Sequence, residues 1–385
     1  MAYTDRLPLI RRIQELRGST VISYLTSLRP NVPGLMADDA VRVFLDHLLL
    51  LPARPVEKLD IFLCSNGGSG TVPWRLVSLF REFAKSFAVL IPYRAYSAAS
   101  LLALGADEIV MHPFAELGPI DPTVSNEFNP VEQPTGRRLG ISVEDVQAYV
   151  NFVKSTVGIR HEDELVKTIE ILAQKVHPLA IGNVERFLQQ SRMIAKKILR
   201  THMTGVDDHA INEIVENMAS KLYFHGHPIN RLEAKTDLKL KVVDQLQPDL
   251  ETCLWNLYVA YESEFENLSV FNPASDLAAS GPMKQGDSKE YELTHAMVES
   301  AALASRHTTR RRFTFLGLQT GGQAAIQEDI LSQGWSHSPV PSGRAQPPPS
   351  SSLTADAPSV EAGQPGTGGT SSLSQPEPNE SGPEA

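Results

Sequence analysis

Hydrophobic positions along the first third of the chain switch repeatedly between a helical period and short continuous runs. LPLIRRIQELRG has apolar residues at helical spacing and stops at Gly18, which predicts a helix. VISYLTS is rich in β-formers and predicts a strand. A second helix is predicted for AVRVFLDHLLLL, with Asp38 and Asp39 at its start as caps. From residue 59 the two patterns alternate: LDIFLCS, VPWRLVSLFREFAKS, FAVLIPY, SAASLLALGA and EIVMH. Pro73 suits the first turn of its helix. Strands alternating with helices predict an α/β domain around a largely parallel sheet.

Residues 113–140 read as loop, with prolines at 113, 119, 122, 130 and 134. Ser142 and Asp145 form a capping-box-like start for a long helical region. Further helices are predicted over 162–176, 178–203, 207–221 and 247–266, with a short helix and a β-rich turn in NRLEAKTDLKLKVVDQL. Residues 266–335 mix polar stretches with β-like ones such as RRRFTFLG and predict a small accessory or edge region. Residues 336–385 hold ten of the chain's 27 prolines, and no aromatic residue or isoleucine follows Trp335. Such a tail buries too little apolar surface to offset its ordering entropy, so disorder is expected. The expected organisation is a domain over 1–265, an accessory region over 266–335 and a tail over 336–385.

Composition narrows the function classes. At 42% hydrophobic residues, the ordered part of the chain's 385 residues can bury a sizeable core. A net charge of −10 argues against a nucleic-acid partner. Only Cys64 and Cys253 occur, far apart, so neither a disulfide framework nor a thiolate metal site is expected and a reducing, cytoplasmic compartment is. No apolar signal segment opens the chain, and its strongest apolar run, Val43 to Leu51, is far too short for a membrane span. Membrane association is therefore expected only through a partner. No phosphate-loop, pyridoxal or nicotinamide fingerprint is present, so no cofactor is expected.

The chemistry concentrates between Asp60 and Pro122. Asn66-Gly67-Gly68 follows a strand and precedes a helix. Glycine there lets the backbone turn sharply and offer N–H groups to a carbonyl oxygen, although an ordinary strand–helix turn has the same wording. Ser97 follows the next strand and opens a helix in Ala95-Tyr96-Ser97-Ala98-Ala99-Ser100. An exposed serine beside free backbone N–H groups is what acyl transfer requires. Ser97 could instead merely cap its helix, and Ser100 is the fallback nucleophile, one turn further in.

The diglycine, the small-residue cluster at Ser97 and the run LALGADEIVMHPFAELGPIDP resemble the Clp-protease/crotonase superfold over roughly residues 20–265. Within it the chain is most similar to the serine dehydrogenase proteinase family, a relative of signal peptide peptidase A. The resemblance implies an α/β core of repeated ββα units with additional C-terminal helices, a polypeptide substrate and a homo-oligomer. It implies Ser97 as nucleophile of a serine endopeptidase, Gly67 and Gly68 along the substrate and oxyanion site, and Ala98 N–H as second oxyanion donor. Relatives usually carry glycine in the pair after the serine, where this chain has alanines.

The base is less defined. Asp121 falls near where Clp proteases place a histidine. Signal-peptide-peptidase relatives pair serine with a lysine some tens of residues later. Lys154, the first lysine after Ser97, is the expected partner, provided that burial depresses its pKa. Arg137 and Arg138 lie in the same window but cannot serve as ordinary bases. His177, before a proline-started helix, and His112, after EIVMH, are the other candidates. Either could be a helix cap or a packed imidazole. His225-Gly226-His227 lacks metal-ligand spacing, and Arg310, Arg311 and Arg312 read as a solvated strand edge. Two rival functions remain: an acyl-CoA hydratase or thioesterase on the same superfold, and an inactive scaffold that has lost its base.

Overall fold

A computed structural model of the chain describes residues 2–120, 123–124, 127–132, 138–220, 227–279, 284–318 and 324–339. Helix α1 (Tyr3–Arg17) ends at Gly18, whose φ of +59° is left-handed. Strand β1 (Thr20–Thr26), helix α2 (Asp39–Leu49), β2 (Val56–Cys64), α3 (Val72–Phe83) and β3 (Ala84–Ile91) follow. The short β4 (Arg94–Ala95) leads into α4 (Ala98–Ala103), β5 (Glu108–Met111) and β6 (Glu116–Leu117). β1, β2, β3 and β5 pair in parallel, as their alternation with helices predicts.

These four parallel strands are buried on both faces, which is why they read as nearly continuous apolar runs. One face packs Ile22, Tyr24, Ile61, Leu63, Val89 and Ile91 against α2, α3 and α4. The other sets Val21, Leu25, Phe62 and Leu90 against α1 and α10 (Pro248–Phe265). Between β6 and α10 lie the hairpin pair β7 (Thr123–Val124) and β8 (Ile141–Ser142), then α5 (Val143–Asn151), continued by a wider π-turn over Phe152–Val157. Helices α6 (Glu162–Ala173), α7 (Pro178–Arg200) and α8 (Asp208–Ser220) follow. β9 (Ile229–Asn230) then pairs with β6, and Asn230 caps α9 (Arg231–Thr236).

Helix α11 (Pro273–Ala278) follows. Residues 288–339, which include most of the region expected as an accessory or edge element, form three long strands, β10 (Ser288–Ser300), β11 (Leu303–Leu318) and β12 (Ala324–Pro339). β10 pairs antiparallel with β1, giving a seven-stranded sheet ordered β12-β11-β10-β1-β2-β3-β5. The sheet thus runs on past the boundary expected at residue 265. Charged residues obscured these strands because they pair across the ladder: Glu290 takes both Arg310 and Arg312, and Arg311 meets Glu328. Of the expected tail, Ser336–Pro339 complete β12, and the rest lies outside the described residues.

A buried polar cluster ties the first helix to this extension. The Arg6 guanidinium, fully enclosed, donates to both Glu299 oxygens at 2.9 and 2.6 Å, and Tyr261 donates to Glu299 at 2.6 Å. A buried carboxylate is tolerated only with such partners.

Candidate active site

The turn after β2 is pinned on three sides. Ser65 N–H donates to Arg94 O at 3.0 Å, and Tyr96 N–H to Ser65 O at 2.9 Å, so the diglycine turn runs alongside the approach to Ser97. The buried Ser65 hydroxyl accepts from Gly67 N–H at 3.0 Å and bonds Thr26 Oγ1 at 2.8 Å. From the other side, Met36 N–H donates to Gly67 O and Ser69 N–H to Met36 O, both at 2.8 Å. This short parallel bridge uses the groups on either side of Gly68. Backbone groups alternate direction along an extended chain, so Gly68 turns its own N–H away from Met36.

Both glycines are required by contact. A Cβ on Gly67 would sit 2.6 Å from Tyr96 O, 2.9 Å from Ser97 Cβ and 3.0 Å from Ala98 N, so the turn packs directly on the nucleophile candidate. A Cβ on Gly68 would lie 2.3 Å from Met36 O, and its φ of +155° is one that side chains rarely adopt.

Ser97 has an unusual backbone conformation. Its φ of +53° and ψ of −115° fall outside the regions that non-glycine residues commonly occupy. It sits before the first turn of α4, yet its hydroxyl makes no capping bond. Among the described residues, no side chain or backbone group engages that hydroxyl. Ser97 is half-buried and lines a pocket of about 370 Å³ with Asn66, Gly68 and Thr71 on one side and Leu101, Ile120 and α7 on the other. Ser100 is different. It is buried, its hydroxyl set among Ala95 O at 2.6 Å, Gly118 O at 2.7 Å and Gly118 N–H at 3.1 Å. Its role is to lock α4 onto the β6 segment.

The three base candidates lie elsewhere. Lys154 is exposed in the π-turn and lines an apolar groove against α6, not the Ser97 pocket. The burial that a lysine base requires is absent there. His177 is exposed, caps α7 by accepting from Leu179 N–H at 3.2 Å and stacks on Phe128. His112 accepts from Phe114 N–H at 3.1 Å and stacks on Trp255, and burial holds its pKa below the ordinary histidine value. The cap and packed-imidazole alternatives describe these two histidines. Asp121, Arg137, His225 and Gly226 lie outside the described residues. His227 pairs with Glu233 at 2.8 Å. Among the described residues no group of three or more His, Cys, Asp or Glu could hold a metal ion, and no helix is long and apolar enough to cross a membrane.

Sequence reasoning missed the contribution of α7 to this pocket. Phe187, Gln190, Ser191 and Ile194 line it. Their spacing of three, four and seven residues is a single helix face, a signal present in the sequence. It also missed Met36, whose backbone holds the diglycine and whose side-chain identity carries no trace of that role.

Residues 1–133 match the model of the family described as ClpP-like SDH-type serine proteinase. The resemblance read from the sequence is thereby shown, over a shorter span than the 20–265 it suggested. The mixed α/β core is of the ClpP-like class. Two uncharacterized proteins of Methanocaldococcus jannaschii are similar: one is 25% identical over 255 residues, covering 63% of this chain and 75% of its own length. The other is 28% identical over 123 residues, covering 30% of this chain and 42% of its own length. A solved mutant form of a membrane-bound stomatin-specific protease, 1510-N, is 14% identical, covering 61% of this chain and 84% of that chain with a TM-score of 0.36.

Proposed function

We propose that this chain, whose residues 1–133 match a serine-proteinase family, cleaves peptide bonds through an acyl-enzyme on Ser97. The observation that carries the proposal is the Ser97 backbone. A strained residue, free of capping duty, lines an open pocket together with a diglycine turn too close to it to admit a side chain at Gly67. Backbone strain of this kind costs about 1–3 kcal/mol and persists where the surroundings impose it.

In the proposed reaction a general base takes the Ser97 Oγ proton as Oγ bonds to the scissile carbonyl carbon and the carbonyl π electrons move to oxygen. Gly68 N–H and Ala98 N–H donate to that oxyanion. Collapse expels the amine, which takes the proton from the base; the base then deprotonates a water that attacks the ester, and returns that proton to Ser97 Oγ as the carboxylic acid leaves. Donors fixed before reaction need no reorganisation when charge develops, which is why a single such donor is worth about 10²–10³ in rate. The pocket beside Ser97 is lined by neutral residues, so an uncharged side chain next to the scissile bond fits it best.

No lysine or histidine is among the described residues lining the pocket. A lysine supplied from outside those residues is the simplest base for the proposed reaction, with a second copy of the chain as one source. The same observation favours a second reading, a peptide-binding scaffold without catalysis. Turnover of a fluorogenic peptide library separates them. The peptidase reading expects cleavage by the wild type and none by Ser97→Ala. A wild-type chain that binds peptides without cleaving them supports the scaffold.

A further inference from the structure

Ser97 sits between two peptide planes, each fixed by a hydrogen bond. Tyr96 O accepts from Ala99 N–H at 2.9 Å, and Ser97 O accepts from Leu101 N–H at 3.0 Å. Peptide units are rigid, so the φ and ψ of a residue are set by the planes on either side of it. The second bond belongs to the first turn of α4. The orientation of the first plane, and with it the φ of +53° at Ser97, depends on how Tyr96 is held.

Tyr96 is held at three points. Its N–H donates to Ser65 O at 2.9 Å. Its ring packs so closely on Gly118 that a Cβ there would lie 2.7 Å from Tyr96 Cγ and 2.8 Å from Cδ1. Its hydroxyl donates to Glu116 Oε1 at 2.7 Å, and a bond to a carboxylate is among the stronger kind. Glu116 is fixed in its turn. Arg94, opposite it in the pairing of β4 with β6, sets Nε 3.6 Å from the same oxygen. The Arg94 guanidinium also lies over the rings of Tyr93 and Tyr96, at 4.3 and 5.4 Å from their centroids. None of Tyr96, Glu116 and Gly118 is among the residues lining the Ser97 pocket, so they act on the site through Ser97 alone.

We propose that Tyr96 is a positioning residue: anchored by Glu116 and Gly118, it imposes the backbone conformation that keeps the Ser97 hydroxyl out of the helix cap and on the pocket wall. The geometric part of this inference stands on the Tyr96 contacts; its catalytic consequence rests on the peptidase reading.

The test follows fluorophosphonate labelling of the full chain, resolved into binding of the probe and the rate of adduct formation. Tyr96→Phe keeps the ring on Gly118 and removes the bond to Glu116. Adduct formation should slow about 10- to 100-fold, the scale of a small misplacement of a reacting group, with probe binding unchanged within about twofold. Glu116→Ala should match it, and the double variant should be no slower than either single one, because both remove the same bond. Glu116→Gln retains an acceptor for the tyrosine hydroxyl and should restore most of the rate. A merely structural role would lower thermal stability without this split between binding and rate, and without rescue. Crystal structures read the geometric part separately. Residue 97 should keep its positive φ in the wild type and lose it in Tyr96→Ala; should that variant fail to fold, Gly118→Ala, which displaces the ring, should do the same. The proposal is overturned by a Tyr96→Phe protein that labels at the wild-type rate, or by a positive φ at residue 97 retained in the folded Tyr96→Ala or Gly118→Ala protein. A wild type that forms no adduct overturns the peptidase reading instead, and the crystallographic result then decides this inference.

Discussion

Replacing Gly68 by alanine tests the link between fold and site in one residue. The new methyl would lie 2.3 Å from Met36 O, 2.6 Å from Met36 N and 2.9 Å from Met36 C. All three are backbone atoms, so no side chain can swing aside. Relief requires Met36 and the turn to separate, which lengthens two hydrogen bonds of 2.8 Å. Each is worth about 1 kcal/mol net. Alanine at φ +155° adds roughly 1–3 kcal/mol of backbone strain. Gly68→Ala should therefore destabilise the chain by about 3–5 kcal/mol, read by urea unfolding as a lower midpoint at constant slope. It should also slow fluorophosphonate labelling of the folded protein by about 10²–10³, because the oxyanion donor moves. Gly70→Ala is the control. Nothing lies within 4 Å of a Cβ there, and an effect within about 0.5 kcal/mol is expected. A Gly68→Ala protein with wild-type stability and labelling rate would refute the reasoning.

Three further outcomes follow from the buried and exposed charges. Arg6→Met strands the Glu299 carboxylate in the core and should cost about 3–5 kcal/mol by denaturant unfolding, whereas a loss below about 1 kcal/mol would mean that Glu299 is taken up by Tyr261 alone. Burial, aided by His337, pushes His47 down to about 3 between Ser300 and Ser305. With the folded value below the unfolded value of about 6.5, its contribution is whole above that pH and declines on acidification toward the folded pKa; between about pH 6.5 and 5 the wild type should lose about 2 kcal/mol relative to His47→Gln, and parallel curves would contradict this. Lys154→Arg should leave Ser97 labelling within about twofold, since surface substitutions rarely matter, and abolished labelling would show that this lysine reaches Ser97.

Much of the core was legible because its periodicity was unambiguous. The runs VISYLTS, LDIFLCS and FAVLIPY form strands buried on both faces, so most positions are apolar and the strands announce themselves. The diglycine and Ser97 were legible for a related reason: close backbone approach restricts those positions to residues that stand out. The three C-terminal strands were not. β12 is largely exposed and β11 carries Arg310, Arg311 and Arg312, so charges that pair across strands read as a polar linker. The base is less legible for a different reason. Order along the chain singles out Lys154, but reach to Ser97 depends on where α5 and its π-turn pack, which local pattern does not encode.

The central claim is that Ser97 is an activated nucleophile, and its most direct test is the mass of the intact chain after exposure to a fluorophosphonate, with peptide mapping of the adduct. One adduct is predicted, on Ser97, absent from Ser97→Ala and retained in any Ser100→Ala protein that still folds. No adduct on the folded wild type, or one that maps to another residue, contradicts the account.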